Sequence, residues 1–445
     1  MKMSETPLVI ALCTAFAALP SMSALATSDL YISGITEQTT PISKAQEPLS
    51  FQEAQTIRNR FSVPNWQAAG DDGVYINMHF SSFFPVDTVL PTHPVRDLER
   101  DIKPQLSNLT YQYKDGSTSK TLDEFVHSDQ SRVQAVMMAH KGKVVYEAYP
   151  GMNPNDQHIW MSTSKTTVGT VAMMLAQEGV LDLDKPITSY VAELKGTEWE
   201  KVSVRNALNM STALDLEETT AAFSDPNSWI EQFFSSLFTP VGDTWIEKLK
   251  TVKPVEGLNP GDKFQYSTAV TQALVLAVEQ ATNKKWVDLF NEKVWSKVGV
   301  AGPYSVGLAA NGTAVAGGFN STTPEDMLKY AMIYTPSWNK VSDSKVISDE
   351  LLKNIQTLGQ PEAYQGTTEQ GYSADWFGEK AERNSAQWDA VFADGAMFKH
   401  GNMHQGIYVD PARDFVAIVF ATSPNDRDDH APGYLREAAK QLSGK

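Results

Sequence analysis

The sequence predicts an α+β fold: an antiparallel sheet flanked by helices, with a mostly helical lobe in the middle of the chain. Three observations predict it. Strand-like segments lie at both ends of the main body, "VQAVMMAHKGKVVYEAYP" from Val133 and "AVFADGAMFKHGNMHQGIYVDPARDFVAIVFAT" from Ala390. Apolar segments of helical length fill the interval between them. The last stretch, "APGYLREAAKQL", reads as a helix that packs back on the sheet.

Taken in order, residues 1–26 read as a secretion signal. Lys2 gives a basic start, Pro7 to Leu19 is almost unbroken apolar sequence, and Ala24-Leu25-Ala26 is a small-x-small cleavage site. Glu5 is atypical there. The short apolar run and Pro20 argue against an uncleaved anchor. Cys13, the only cysteine, lies in this segment, with Leu12 where a lipid-attachment site needs a small residue. The mature chain would hold no cysteine, which excludes disulfides, thiol nucleophiles and thiolate metal sites. Export without disulfides suits a bacterial periplasm, or secretion. The net charge of −16 argues against nucleic acid and anionic membranes as partners. No later segment is apolar enough to span a membrane.

Residues 27–116 form an N-terminal lead-in and extension. Residues 27–60 are polar and weakly patterned, so they are expected to be extended and partly disordered. Residues 61–116 carry Trp66, Tyr75, Phe80, Phe83, Phe84 and several prolines, and should be ordered against the main body. The main body is 117–445, with its helical lobe at roughly 162–340. Thr121 and Glu124 make a capping box for "LDEFV". Lys141-Gly142-Lys143 turns a hairpin. A helix runs from Ser162 to Glu178 and stops at Gly179. Further helices are read in "VRNALNM", "NSWIEQFFSSL", "TAVTQALVLAVEQAT", "KKWVDLFNEKVWSKVG" and "PEDMLKYAMIY", the last capped by Thr323 with Pro324 in its first turn. A second hairpin turns at Asp410-Pro411-Ala412-Arg413.

The string STSKT occurs twice, from Ser117 and from Ser162, and Ser342-Asp-Ser-Lys345 is a third Ser-x-x-Lys. Serine and lysine at i and i+3 on one buried helix can form a nucleophile–base pair, because burial makes lysine neutral enough to take a proton. Ser117 follows a solvent-facing Lys-Asp-Gly turn and precedes a helix start, so it reads as loop. Ser342 reads likewise, as a polar stretch before an exposed helix. Ser162 precedes Val168, Val171, Met173, Met174 and Leu175, a helix apolar on most sides and therefore buried. The alternative there is a capping serine with Lys165 snorkelling to water. Tyr266 precedes another apolar helix and can shuttle protons, or simply pack. Lys399-His400-Gly401 lies on a strand; Gly401 would let a substrate backbone approach, and Lys399 would supply charge. His158 and His404 read as structural. Trp376, Phe377 and Trp388 line an acyl pocket or fill the core. There is no Gly-x-Ser-x-Gly elbow, no His-Glu-x-x-His, no Walker loop and no dinucleotide fingerprint.

Taken together, Ser162-Thr-Ser-Lys165, Tyr266-Ser-Thr268 and Lys399-His-Gly401 resemble the three motifs of the penicillin-recognising serine hydrolases: Ser-x-x-Lys, Tyr-x-Asn and Lys-Thr-Gly. The sequence most resembles the 6-aminohexanoate-dimer hydrolase branch, through "HFSSFFPVDTVLPT" and "HQGIYVDP" with Gln405, over roughly residues 75–440. The resemblance implies a β-lactamase/transpeptidase-like fold and amide or ester cleavage through an acyl-enzyme on Ser162. It also implies Lys165 as base, Tyr266 as proton shuttle, backbone N–H groups of Ser162 and Asn402 as oxyanion hole, and a substrate-binding strand at Lys399, His400 and Gly401. Lys399 would favour the ionised tyrosine. It implies no cofactor and no metal, and a small-molecule amide, ester or peptide-like substrate. Thr268 in place of asparagine and His400 in place of threonine weaken the case for efficient β-lactam hydrolysis. A β-lactamase or DD-peptidase, and a non-catalytic ligand sensor on the same fold, are the alternatives. Oligomeric state is left open.

Overall fold

The computed structural model describes residues 39–113, 115–238, 244–424 and 429–444. The secretion signal with Cys13 lies outside the described residues. The described strands are β1 (Val86–Val89), β2 (Glu99–Arg100), β3 (Val133–His140), β4 (Lys143–Ala148), β5 (His158–Ile159), β6 (Tyr304–Gly307), β7 (Asn320–Thr322), β8 (Arg383–Ser385), β9 (Trp388–Val391), β10 (Met397–Gly401), β11 (Gln405–Asp410) and β12 (Phe415–Ala421). Eight form the main sheet in the order β2-β4-β3-β12-β11-β10-β9-β8. Every pairing in it is antiparallel except β2 with β4.

The N-terminal hairpin and the C-terminal strands thus join through β3 and β12, as their sequences predict. All seven residues of β12, "FVAIVFA", are buried. Successive side chains point to opposite faces, so a strand apolar at every position needs cover on both. Val416, Ile418 and Phe420 face one core, shared with Val168, Val171 and Met327. Phe415, Ala417, Val419 and Ala421 face the other, with Tyr434, Leu435 and Ala438 of the C-terminal helix Ala431–Ser443. The capping box at Thr121 and the Thr323 cap with Pro324 both form.

A second sheet, β1-β6-β7-β5, was not foreseen. Its strands have two to four residues, too short to show alternation. The exposed helix expected after Ser342 is Asp349–Thr357, whereas Pro361–Tyr364 and Thr368–Phe377 were not read from sequence. The lead-in also needs correction. Phe51–Asn59 is a helix with a complete Ser50–Glu53 capping box, and Ile57 is its buried residue. One anchoring side chain in a polar run leaves too weak a period to read. The extension at 61–113 is ordered as expected. Trp66, Phe80 and Phe84 pack with Phe319 of the main body, at ring separations of 5.7, 5.1 and 5.5 Å.

The helix Lys165–Gln177 is buried from Lys165 to Leu175. It approaches the main chain so closely at Gly169 that a Cβ there would stand 2.1 Å from the Ala386 carbonyl oxygen. Gly169→Ala gains helix propensity of about 1 kcal/mol but forces the helix off its seat. Overpacking of this kind costs about 1–3 kcal/mol. A clear fall in Tm is expected by calorimetry, together with lost activity, because Lys165 sits one turn away.

Candidate active site

The nucleophile candidate is held at the junction of the small sheet and this helix. Strand β5 ends at Ile159. Trp160 is fixed by its main-chain N–H to Asn320 O (2.8 Å) and its indole N–H to Thr322 Oγ1 (2.9 Å). Met161 is buried with φ +47°, a left-handed conformation that costs a non-glycine residue roughly 1–2 kcal/mol. A 3-10 turn, Met161–Ser164, then leads into the helix. Ser162 is partly exposed on that turn and Lys165 is fully buried.

Lys165 Nζ stands 2.9 Å from Ser162 Oγ, 3.0 Å from Thr268 Oγ1 and 2.9 Å from Gly317 O. A neutral amine has two N–H bonds and one lone pair. The Gly317 carbonyl can only accept. With the Thr268 oxygen accepting the other N–H, the lone pair is left for the Ser162 hydroxyl. Thr268, the departure from Tyr-x-Asn, therefore still bonds the lysine. Gly317 reaches this place because it lacks a side chain: a Cβ would lie 2.8 Å from Thr271 Cγ2. Burial pushes the Lys165 ammonium down to about 7. The carboxylate of Glu218 opposes that shift, the Lys399 charge adds to it, and Asp389 opposes it.

Tyr266 lies between the two lysines. Lys399 Nζ is 3.3 Å from its hydroxyl and 4.4 Å from its ring centre, and Lys165 Nζ is 5.2 Å from the ring centre. Lys399 does not offer a free charge as expected. It is buried and donates to Asp389, whose other oxygen accepts the His400 N–H at 2.9 Å. Burial pushes Lys399 down, and the Asp389 carboxylate opposes it. His400 turns its ring to Asp429 (3.2 Å) and stacks on Trp376. Gly401 serves an approach other than the one expected. A Cβ there would lie 2.9 Å from Trp160 O and 3.1 Å from Ser162 N, so the missing side chain lets β10 close on the nucleophile's own turn. That contact brings the strand end, and Asn402 after it, to Ser162.

Sequence reasoning missed Glu218 and Asp389. Glu218 donates its N–H to Tyr266 O (2.9 Å) and accepts the Thr268 N–H on its carboxylate. Burial pushes that carboxyl up, and Lys165 opposes it. Nothing in "DLEETT" marks it out. Asp389 had a faint signal, an acid between Trp388 and Ala390 on an otherwise buried strand.

The other candidates fall away from the site. Ser117 is exposed, and both its N–H and its hydroxyl bond to Asp115 (2.8 and 2.6 Å). Ser342 was expected to face solvent but is buried. It pairs with Val298 in an isolated bridge and donates to Ser344 O, while Lys345 pairs with Asp349. His158 is buried between Ile159 O and Gln134 and pushed down to about 4 by burial. His404 sits 3.7 Å from Asp429 in the β10–β11 turn. Trp388 and Phe377 are core residues; Trp376 backs His400. No group of three or more His, Cys, Asp or Glu side chains among the described residues is arranged to hold a metal ion.

This arrangement of serine, buried lysine, tyrosine and second lysine on an α+β scaffold defines a serine β-lactamase/penicillin-binding-protein-like protein. The model of the Beta-lactamase family matches residues 118–440, and the chain belongs to that family. The chain is 26% identical over 318 residues to the 6-aminohexanoate-dimer hydrolase of Paenarthrobacter ureafaciens, covering 68% of this chain and 76% of the relative. A Bacillus anthracis protein assigned as a 6-aminohexanoate-dimer hydrolase superposes with a TM-score of 0.68 at 19% identity, over 84% of this chain and 95% of that one. A class C β-lactamase gives a TM-score of 0.50 at 17% identity, over 70% and 91%. The fold is thus β-lactamase/transpeptidase-like, and the protein is a hydrolase of this family.

With Lys165 as the base, as the resemblance implies, burial of its amine sets the expected pH profile. The rate of serine acylation should rise with pH through about 7 and level off above it. Lys399→Met removes a charge that disfavours the Lys165 ammonium, so the rising limb should move to higher pH. Glu218→Gln removes a charge that favours it, so the limb should move to lower pH. Stopped-flow acylation from pH 5 to 9 reads both shifts.

Proposed function

We propose that this protein is a serine amidase or esterase that works through an acyl-enzyme on Ser162. The observation that carries it is the fully buried Lys165 amine, 2.9 Å from a partly exposed serine hydroxyl. Ser162 Oγ attacks the substrate carbonyl as its proton passes to Lys165 Nζ. The N–H groups of Ser162 and Asn402 bind the resulting oxyanion, each contributing about 2.7–4 kcal/mol. Tyr266, its hydroxyl 3.3 Å from Lys399 Nζ and its ring beside Lys165, relays the proton to the leaving amine or alkoxide. Water then enters along the same path, gives its proton to the Tyr266–Lys165 pair and releases the acid, and Ser162 recovers its proton.

Charge favours this over a β-lactamase or DD-peptidase. The substrates of those enzymes carry a carboxylate. Here Lys399 is committed to Asp389, and the His400 ring to Asp429. With Glu218 close by, the pocket offers an anion little. A neutral or amine-bearing small amide, ester or peptide-like molecule fits better, in keeping with the substrate in the name of the Paenarthrobacter relative. Export to the periplasm belongs to the same proposal and rests on the sequence of residues 1–26.

Intact mass after fluorophosphonate treatment tests the mechanism. One adduct is expected on the wild type and on Ser117→Ala, and none on Ser162→Ala. No adduct on any of the three would overturn the acyl-enzyme and favour a sensor. Nitrocefin turnover faster than that of p-nitrophenyl esters and 6-aminohexanoate amides would overturn the substrate class.

A further inference from the structure

The turn that follows the β10 strand is strained. Met403 and His404 have φ of +63° and +71°, and neither is glycine. Such a turn keeps its shape only where its surroundings hold it. Within the main body, Gln405 Nε2 reaches Asn402 O (3.3 Å), Met403 O (3.4 Å) and Ala421 O (2.6 Å). The Ser423 N–H donates to Met403 O (3.3 Å), and His404 lies 3.7 Å from Asp429. A further grip comes from outside the region matched by the family model, from the helices Val63–Gln67 and Asp71–Met78.

Gln67, the last residue of the first helix, accepts a hydrogen bond from Asn402 Nδ2. The sense of the bond is fixed. Asn402 Oδ1 accepts the Met403 N–H at 3.0 Å, so its amide nitrogen must face Gln67 and donate. Asn77 of the second helix adds a contact from below. Its Nδ2 meets Met403 Sδ (3.3 Å) and Thr422 Oγ1 (2.9 Å), and its Oδ1 accepts the Trp66 indole N–H (2.7 Å). Gly73 lets the pair of helices nest, since a Cβ there would lie 2.9 Å from Trp66 O.

We propose that the segment Val63–Met78 is part of the catalytic apparatus, with Gln67 as a positioning residue for the oxyanion hole. By holding the Asn402 side chain, Gln67 fixes the peptide whose N–H points at the developing charge. The inference rests on the acyl-enzyme reading above. Its effect belongs to the transition state, so it should appear in kcat rather than KM.

The test is a double-mutant cycle on the full chain. Gln67→Met keeps the bulk of the side chain and removes the acceptor. It should slow fluorophosphonate labelling of Ser162 about tenfold, a fraction of what loss of a whole donor costs. Affinity for a phenylboronic acid, which forms a tetrahedral adduct, should weaken in parallel, with KM for a p-nitrophenyl ester and Tm unchanged. Asn402→Ala removes the same bond and, with it, the acceptor of the Met403 N–H, so its losses should be at least as large. Gln67→Met should then add nothing in the Asn402→Ala background. If Gln67→Met does not fold, Gln67→Ala, which also removes the acceptor, takes its place in the cycle. Labelling of the variant within twofold of wild type, or fully additive losses, would overturn the inference while leaving the acyl-enzyme standing. Failure of the wild type to label Ser162 would overturn both.

Discussion

The site depends on keeping one lysine amine out of water. Moving Lys165 from its ordinary value to about 7 means that its surroundings disfavour the ammonium by on the order of 5 kcal/mol relative to water. That burden is spread over the fold. The helix carrying Lys165 must be buried almost from its first residue, so it needs apolar side chains all round and a glycine where it meets the main chain. The amine must still have partners, and they come from a helix start at Thr268 and from a bare loop carbonyl at Gly317. A group so placed can hold a proton or release it without repacking, since the same three oxygens serve both states.

Around that amine the charges come in pairs. Lys165 has Glu218 nearby and Lys399 has Asp389, with the Tyr266 ring between them. A lone buried ammonium would be expelled or deprotonated, whereas a paired one stays put. The pairing also separates two jobs that one free lysine would mix. On the proposed mechanism, Lys399 sets the electrostatics at the tyrosine hydroxyl, and Lys165 handles the proton of Ser162. His400 illustrates the same economy: its main chain steadies Asp389, and its ring is packed away against Trp376 and Asp429.

What the sequence could reveal follows from the range of each interaction. The Ser162–Lys165 pair is local, one turn of helix, and its apolar context is local too, so it was legible. The joining of the hairpins into one sheet followed from the order of elements, strands at both ends of the main body with helices between. The capping box at Thr121 and the helix cap at Thr323 were short-range and correct. Glu218, Asp389 and Gln67 act through partners 50, 10 and 335 residues away, and no spacing rule reaches them. Gly401 was recognised as a place of close approach, but the approaching group was the protein's own Trp160–Ser162 turn. The small sheet and the Phe51–Asn59 helix escaped because their periodicity is too brief to rise above composition.

The strand order of the main sheet has a consequence for how the protein comes to life. Strand β12, near the end of the chain, lies between β3 and β11, so the sheet cannot close until nearly all of the polypeptide is available. Ser162 and Lys165 are made long before β10 and β11 exist, and without those strands there is neither a Lys399 nor an Asn402 beside them. On the proposed mechanism, a nascent chain, or one truncated before β10, would carry its serine without the groups that make it reactive. The parts of the site come together only when the two ends of the fold meet.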